Sequence, residues 1–316
     1  MNTDLTDLAV EITRDPRQVI GIPLALIGAV FLSLGAQFQH HGVAKVEANT
    51  IEVTGGLNLR QLMMLLARPS WVFGSLMLGL AIVFQLSSLA FAPLIVVQPL
   101  GAVALVITAL LNARFTRVRL GRASIIAISM CVGGVGLFVT VAAFTAVDRP
   151  VTDDKLITIL LILAAVLLVF ALSFGLFRRH FQAIFYILGA GVLYGFVATL
   201  AKVIINRIQN GNFEWLTLTC VLGLLLAAAL GAYFVQSAYA SGPPDLVIAG
   251  LTVVDPLVAI GIGILVLGEA SQAPSWAGVA FIIAGVVAIW GVLLLARHHA
   301  QGEMAPRSTS VRRAAR

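Results

Sequence analysis

The chain has 316 residues, 60% of them hydrophobic and 11% charged, with a formal net charge of +6. Ordinary soluble domains carry roughly 25% charged residues, and a soluble fold of this size could not cover its surface with so few. A cytosolic enzyme, a nucleic-acid-binding protein and a disordered chain are excluded, and a mean hydropathy of +1.02 points to a chain that crosses a membrane many times.

A helix needs about 20 apolar residues to cross a bilayer. In chain order, residues 1–18 form a polar external segment containing Asp4, Asp7, Glu11 and Asp15. The apolar run 19–39 follows, and its length and acidic lead separate it from a signal peptide. Residues 58–68 are too short to span. Leu59, Leu62, Met63, Leu65 and Leu66 against Arg60, Gln61 and Arg68 read as a helix lying in the interface. Further spans are predicted at 71–91, 93–112, 123–147, 156–177, 183–208, 216–240, 246–268 and 276–296, giving nine in an all-α membrane protein. Spans two and three are joined only by Ala92-Pro93, which requires a tight turn at the membrane surface. The tail, 297–316, is basic and expected to be disordered. Cys131 and Cys220 lie in apolar runs and read as core residues, with no disulfide framework. The connections are short and hold no G-x-x-x-x-G-K-[ST], so an ion gradient or a partner subunit must supply energy for any transport. No cofactor is called for.

Fourteen basic residues fall on one side of the membrane: Lys45, Arg60, Arg68, Arg114, Arg117, Arg119, Arg122, Arg178, Arg179, Arg297, Arg307, Arg312, Arg313 and Arg316. Five fall on the other: Arg14, Arg17, Arg149, Lys155 and Arg207. Cytoplasmic loops collect Lys and Arg, so the N-terminus is expected outside and the C-terminus inside a cytoplasmic (plasma) membrane. The tail then contacts lipid headgroups.

The chain also resembles itself. Leu26-Ile27-Gly28-Ala29 matches Ile187-Leu188-Gly189-Ala190, and Val96-Val97-Gln98-Pro99-Leu100 matches Val253-Val254-Asp255-Pro256-Leu257, at offsets of 161 and 157. This divides the molecule into a first repeat (19–147), a linking span (156–177) and a second repeat (183–296). An odd number of crossings between copies inverts one relative to the other. Inverted repeats with interrupted helices are a plan of secondary transporters, whose sites lie between the repeats near the midplane. Pro93, Pro99 and Pro256 mark the expected helix breaks.

Asp255 and Lys202 are the two formally charged residues well inside the spans. A charge at a helix centre costs about 2.5–3.5 kcal/mol on insertion scales. Asp255 reads as a proton- or cation-linked carboxylate facing a wet cavity, or as a structural group satisfying backbone freed by Pro256. Its repeat mate is Gln98, which cannot titrate. Lys202 reads as a cationic cavity wall sharing a network with Asp255, or as a side chain snorkelling to the headgroups. Gln37, Gln85, Gln98 and Gln236 are amides in different spans that line a polar path or glue helices together. His40 and His41 read as an interfacial pair or a pH-sensitive gate, and Glu269 with its mate Asn112 as a gate or as polar helix ends.

The stretch from Ala90 to Ala102 fits A-x-A-P-x-x-x-V-x-P-L-G-A. With Thr252-Val253-Val254-Asp255-Pro256-Leu257 and Gly268-Glu269, it resembles the drug/metabolite transporter (EamA-like) superfamily, and most closely its NIPA-type magnesium-transporter branch. That branch shares nine spans, an external N-terminus and a Lys late in the sixth span, here Lys202. The resemblance covers roughly 19–297 and implies secondary transport of a small solute. Mg²⁺ prefers oxygen ligands and keeps several waters, whereas the chain offers only Asp255 within the bilayer and Glu269 at its edge. The expected substrate is therefore a metabolite or amphipathic cation, exported by alternating access. A Mg²⁺ transporter or channel, with Asp255 and Glu269 as metal ligands, is the alternative, and a scaffold or lipid-handling subunit comes after it. An intramembrane enzyme would need two aspartates, Ser with His, or H-E-x-x-H, which the spans lack. Expected partners are the small-molecule or ion substrate and membrane lipid, with no nucleic acid; a homodimer is compatible with the plan.

Overall fold

Long apolar runs have no water to hydrogen-bond their backbones in a bilayer, so they close every N–H and C=O internally as helices. The computed structural model describes the backbone of residues 16–47, 67–116, 121–177, 183–212 and 214–303, and the side chains of 20–39, 67–114, 121–173, 183–212, 214–243 and 246–296. Among these, nine helical segments are long and apolar enough to cross a membrane. They are α1 (Pro16–Glu47), α2 (Pro69–Phe91), α3 with α4 (Leu94–Leu100 and Ala102–Thr116), α5 (Arg122–Thr145), α6 (Asp153–Phe177), α7 (Ala183–Gln209), α8 (Trp215–Ser241), α9 (Pro244–Ile262) and α10 (Ser275–Glu303). The described residues contain no strand. The N-terminal segment up to 15, the interfacial helix up to 66, Arg117, Arg119, Arg178, Arg179 and the tail beyond 303 lie outside the described residues.

The two halves pack alike. Helix α1 lies along α2 and α4, as α7 lies along α8 and α9, and the repeat mates α5 and α10 lie along each other. Small residues let backbones approach where lipid offers no hydrophobic drive. A Cβ on Gly134 of α5 would sit 2.5 Å from the Ala288 nitrogen of α10. On α7, a Cβ on Gly195 would sit 2.7 Å from the Val258 side chain of α9. The linking helix α6 is peripheral: Leu156, Ile159 and Leu163 are buried, while Leu161 and Leu168 point outward.

Of the three expected helix breaks, Pro93 coincides with one, and Pro99 lies inside α3 two residues before an interruption at Gly101. Pro93 separates α2 from α3, and Pro99 is followed at Gly101 by a tight turn in which the Gly101 N–H donates to the Gln98 carbonyl at 3.2 Å. Pro256 does not break its helix, and α9 runs through it to Ile262. Proline removes one N–H from the ladder, and the contact with α7 at Gly191 and Gly195 holds the helix across that gap. The irregularity comes one to two turns later, as a π turn at Gly263–Leu267.

Successive spans alternate in direction, so residues 91–94, 145–153, 209–215 and 267–275 gather at one end. We call it the acidic end, and the opposite one, carrying Arg114 and Arg122, the basic end.

The tight α5–α10 contact is testable. Gly134→Val is expected to destabilise the protein by about 1–3 kcal/mol through overpacking. Gly136→Val, which meets open space, should stay within about 0.5 kcal/mol of the parent. Reversible unfolding in mixed micelles measures both, and equal losses would contradict the packing.

Candidate functional site

The link between α2 and α3 is two extended residues, Ala92 and Pro93. A helix leaves its first N–H groups without intrahelical partners. Those of α3 are met from the other repeat: the Leu94 N–H donates to Glu269 Oε1 at 2.8 Å and the Ile95 N–H to Oε2 at 2.9 Å. Gly268, at φ 74°, adopts a left-handed conformation that glycine tolerates and ends the π turn. The chain then doubles back, so that the Glu269 N–H reaches the Gly263 carbonyl at 2.9 Å and its own carbonyl accepts from Val147 at 2.8 Å. The Glu269 side chain is buried. Burial pushes its carboxyl up from the ordinary range, opposed by the Ile95 and Leu94 N–H bonds and by Lys202.

Lys202 does not snorkel. It is 3% exposed, donates to the Ala92 carbonyl at 2.9 Å and pairs with Asp148 at 2.8 Å. Its partners are therefore on the first repeat (Ala92) and the loop that leaves it (Asp148) rather than at Asp255. Lys155 donates to the Leu267 carbonyl at 2.7 Å. Arg207, also buried, donates to Thr217 Oγ1 at 2.7 Å and pairs with Asp153 and Glu214, tying α6, α7 and α8 together. Arg207 was legible only as an interface charge, and no motif in the sequence singled out Asp148.

The second feature lies inside the bundle. Gln98 Nε2 on α3 and Asp255 Oδ1 on α9 are buried without a hydrogen-bond partner, and among the described side chains they stand alone in this. They are the repeat-matched pair of the sequence. An unsatisfied buried polar atom costs on the order of 1–3 kcal/mol, so two at matched positions mark a place built to be completed by something else. The prolines that follow, Pro99 and Pro256, border an apolar cleft of about 70 Å³ between the repeats, with Val135 and Phe138 from α5 and Gly285 and Ala288 from α10.

The remaining residues singled out from sequence do not join into one path. Gln85 is half-buried on α2, and Gln236 is exposed on α8, because sequence alone does not fix which face of an all-apolar helix looks outward. Gln37 and Asn112 are half-buried on α1 and α4. The side chains of His40 and His41 lie outside the described residues. Among the described residues no group of three or more His, Cys, Asp or Glu is placed to hold a metal.

Lys202→Met leaves the Ala92 carbonyl and the Asp148 carboxylate without their shared donor. A stability loss of about 2–3 kcal/mol is expected, with a smaller loss for the partly solvated Asp148→Asn. Unfolding in mixed micelles checks the ordering, and a larger loss for Asp148→Asn would contradict it.

Residues 17–193 match the family model described as magnesium transporter NIPA. The chain is also similar to an uncharacterized protein of Corynebacterium glutamicum, 28% identical over 280 residues that make up 88% of this chain and 95% of that one. No solved structure matches it. With more than half of its length matched by that model, the chain belongs to the NIPA magnesium transporter family of the drug/metabolite transporter superfamily and is a multi-pass membrane transport protein.

Proposed function

We propose that the protein carries Mg²⁺, or a similar small divalent cation, across the cytoplasmic membrane by alternating access between the two repeats. The observation that carries this reading is the unpartnered Asp255 oxygen, matched across the repeats by the unpartnered Gln98 amide. Mg²⁺ dehydrates reluctantly, keeps several waters and is commonly bound through one or two carboxylates. A single mid-bilayer acid suits an ion that arrives inside its water shell. Gln98 meets the same shell, since a half-turn of its amide offers oxygen in place of nitrogen. Glu269 is a poor second metal ligand, because both its oxygens are taken by backbone N–H groups. Family membership supports Mg²⁺ ahead of an organic solute. The bias of Lys and Arg supports a cytoplasmic basic end and an external acidic end. A membrane potential of 100 mV then drives each inward charge by about 2.3 kcal/mol.

The second reading is export of a metabolite or amphipathic organic cation, and the apolar cleft bordered by Pro99 and Pro256 favours it. At about 70 Å³ that cleft is far smaller than the roughly 300–1,000 Å³ of a drug-sized site, so it ranks second.

Flux into proteoliposomes loaded with a Mg²⁺ indicator tests the choice. The parent is expected to show saturable Mg²⁺ flux, Asp255→Asn at least a tenfold lower rate, and Gln98→Ala an intermediate one. An Asp255→Asn rate equal to the parent would remove the carrying role. A parent inert to Mg²⁺ that moves an organic cation under a pH gradient would promote the second reading.

A further inference from the structure

We propose that Glu269 is a latch that holds the acidic end of the transporter closed, and that Lys202 is its companion. This rests on the transport reading above, but on no particular substrate.

The bonds involved join one repeat to the other. From the second repeat, Glu269 reaches Leu94 and Ile95 with its carboxylate and Val147 with its carbonyl. Also from the second repeat, Lys202 reaches Ala92 and Asp148. Three of these five partners, Ala92, Leu94 and Ile95, lie on or beside the Ala92-Pro93 link, and the other two, Val147 and Asp148, are neighbours just after α5. The link is the point where the first repeat turns over between α2 and α3, and any separation of the repeats at this end must break all five bonds together.

The two sides of the latch are built differently. On the second repeat, Glu269 is fixed: the π turn is closed by the left-handed Gly268, and a Cβ on Gly263 would come within 2.7 Å of Glu269 Oε2. π turns are enriched at functional positions. On the first repeat, the carboxylate is held by backbone N–H groups of α3 through hydrogen bonds alone, with no ion pair among the described residues. Those N–H groups need an acceptor in any state, and water supplies one when the end opens. The closed arrangement is thus stable and still reversible.

The residue matched to the latch carries no charge. The repeat mate of Glu269 is Asn112, a neutral amide on α4 toward the basic end. An inverted-repeat carrier exchanges the shapes of its two halves as it switches. Closure at the acidic end is therefore held by buried ionic hydrogen bonds, whereas the matched position on α4 offers a neutral amide. The charged closure should dominate at rest.

The test is side-specific labelling of the full-length protein in sealed, oriented vesicles. Cys131 and Cys220, both buried, are replaced by Ala, and Gln98→Cys, about one turn inward from Ile95, serves as reporter. A membrane-impermeant charged thiol reagent is applied from one side at a time. Glu269→Gln should raise the labelling rate from the acidic end at least tenfold and lower it from the basic end. Unchanged rates, or an equal rise from both sides that signals a loosened fold, would overturn the latch. If the Glu269→Gln chain fails to insert, Lys202→Gln decides the matter with the same expected and contrary results. Because labelling needs no substrate, unchanged rates alongside Asp255-dependent Mg²⁺ flux reject the latch alone, and a missing flux leaves the labelling result standing.

Discussion

A carboxylate oxygen held away from water and without a donor sets the terms for the rest of this structure. Asp255 sits inside an apolar bundle in which only one other described side chain, Gln98, is left in the same condition. Natural proteins satisfy buried polar atoms almost without exception. Two exceptions at equivalent places in two related halves are therefore informative in a way that one would not be. The fold holds Asp255 there by close packing: Gly191 and Gly195 bring α7 against α9 on either side of it, and α9 continues through Pro256. A well-supported carboxylate with one oxygen left without a donor is what the proposed passage of a hydrated ion calls for.

Charge is used differently at the acidic end. There the buried ionic groups are fully matched: Glu269 with two backbone N–H groups, Lys202 with a carbonyl and a carboxylate, Arg207 with a hydroxyl and two acids. A half-satisfied polar network is weaker than an apolar contact, whereas a complete one is rigid and specific. The molecule thus separates two jobs along one axis. In the proposed mechanism, complete networks at the end set the conformation, and the incomplete pair inside the bundle is left to meet the cargo.

Much of this was legible in the sequence, and the boundary is physical. The nine spans follow from hydrocarbon thickness and run length, and the repeat from matched Val-Val-x-Pro-Leu segments. Asp255 and Gln98 stood out because any polar group in an apolar run carries a penalty that demands a reason. Glu269 also stood out, but its partners did not: Leu94 and Ile95 are about 175 residues away in the chain. Asp148 and Arg207 were hidden because loop charges near a membrane are common and their neighbours depend on which spans meet. Gln236 was misplaced, since a helix apolar all round carries no stripe to say which face is inside. Pro256 was misread as a break because the packing that spans its missing bond comes from another helix.

The central claim is that the Asp255 carboxylate itself meets the cation. Infrared difference spectroscopy on the full-length protein in lipid, with and without Mg²⁺, addresses it most directly. The account predicts a Mg²⁺-dependent carboxylate stretching band in the parent that is absent from Asp255→Asn. Identical difference spectra for the two proteins would contradict it.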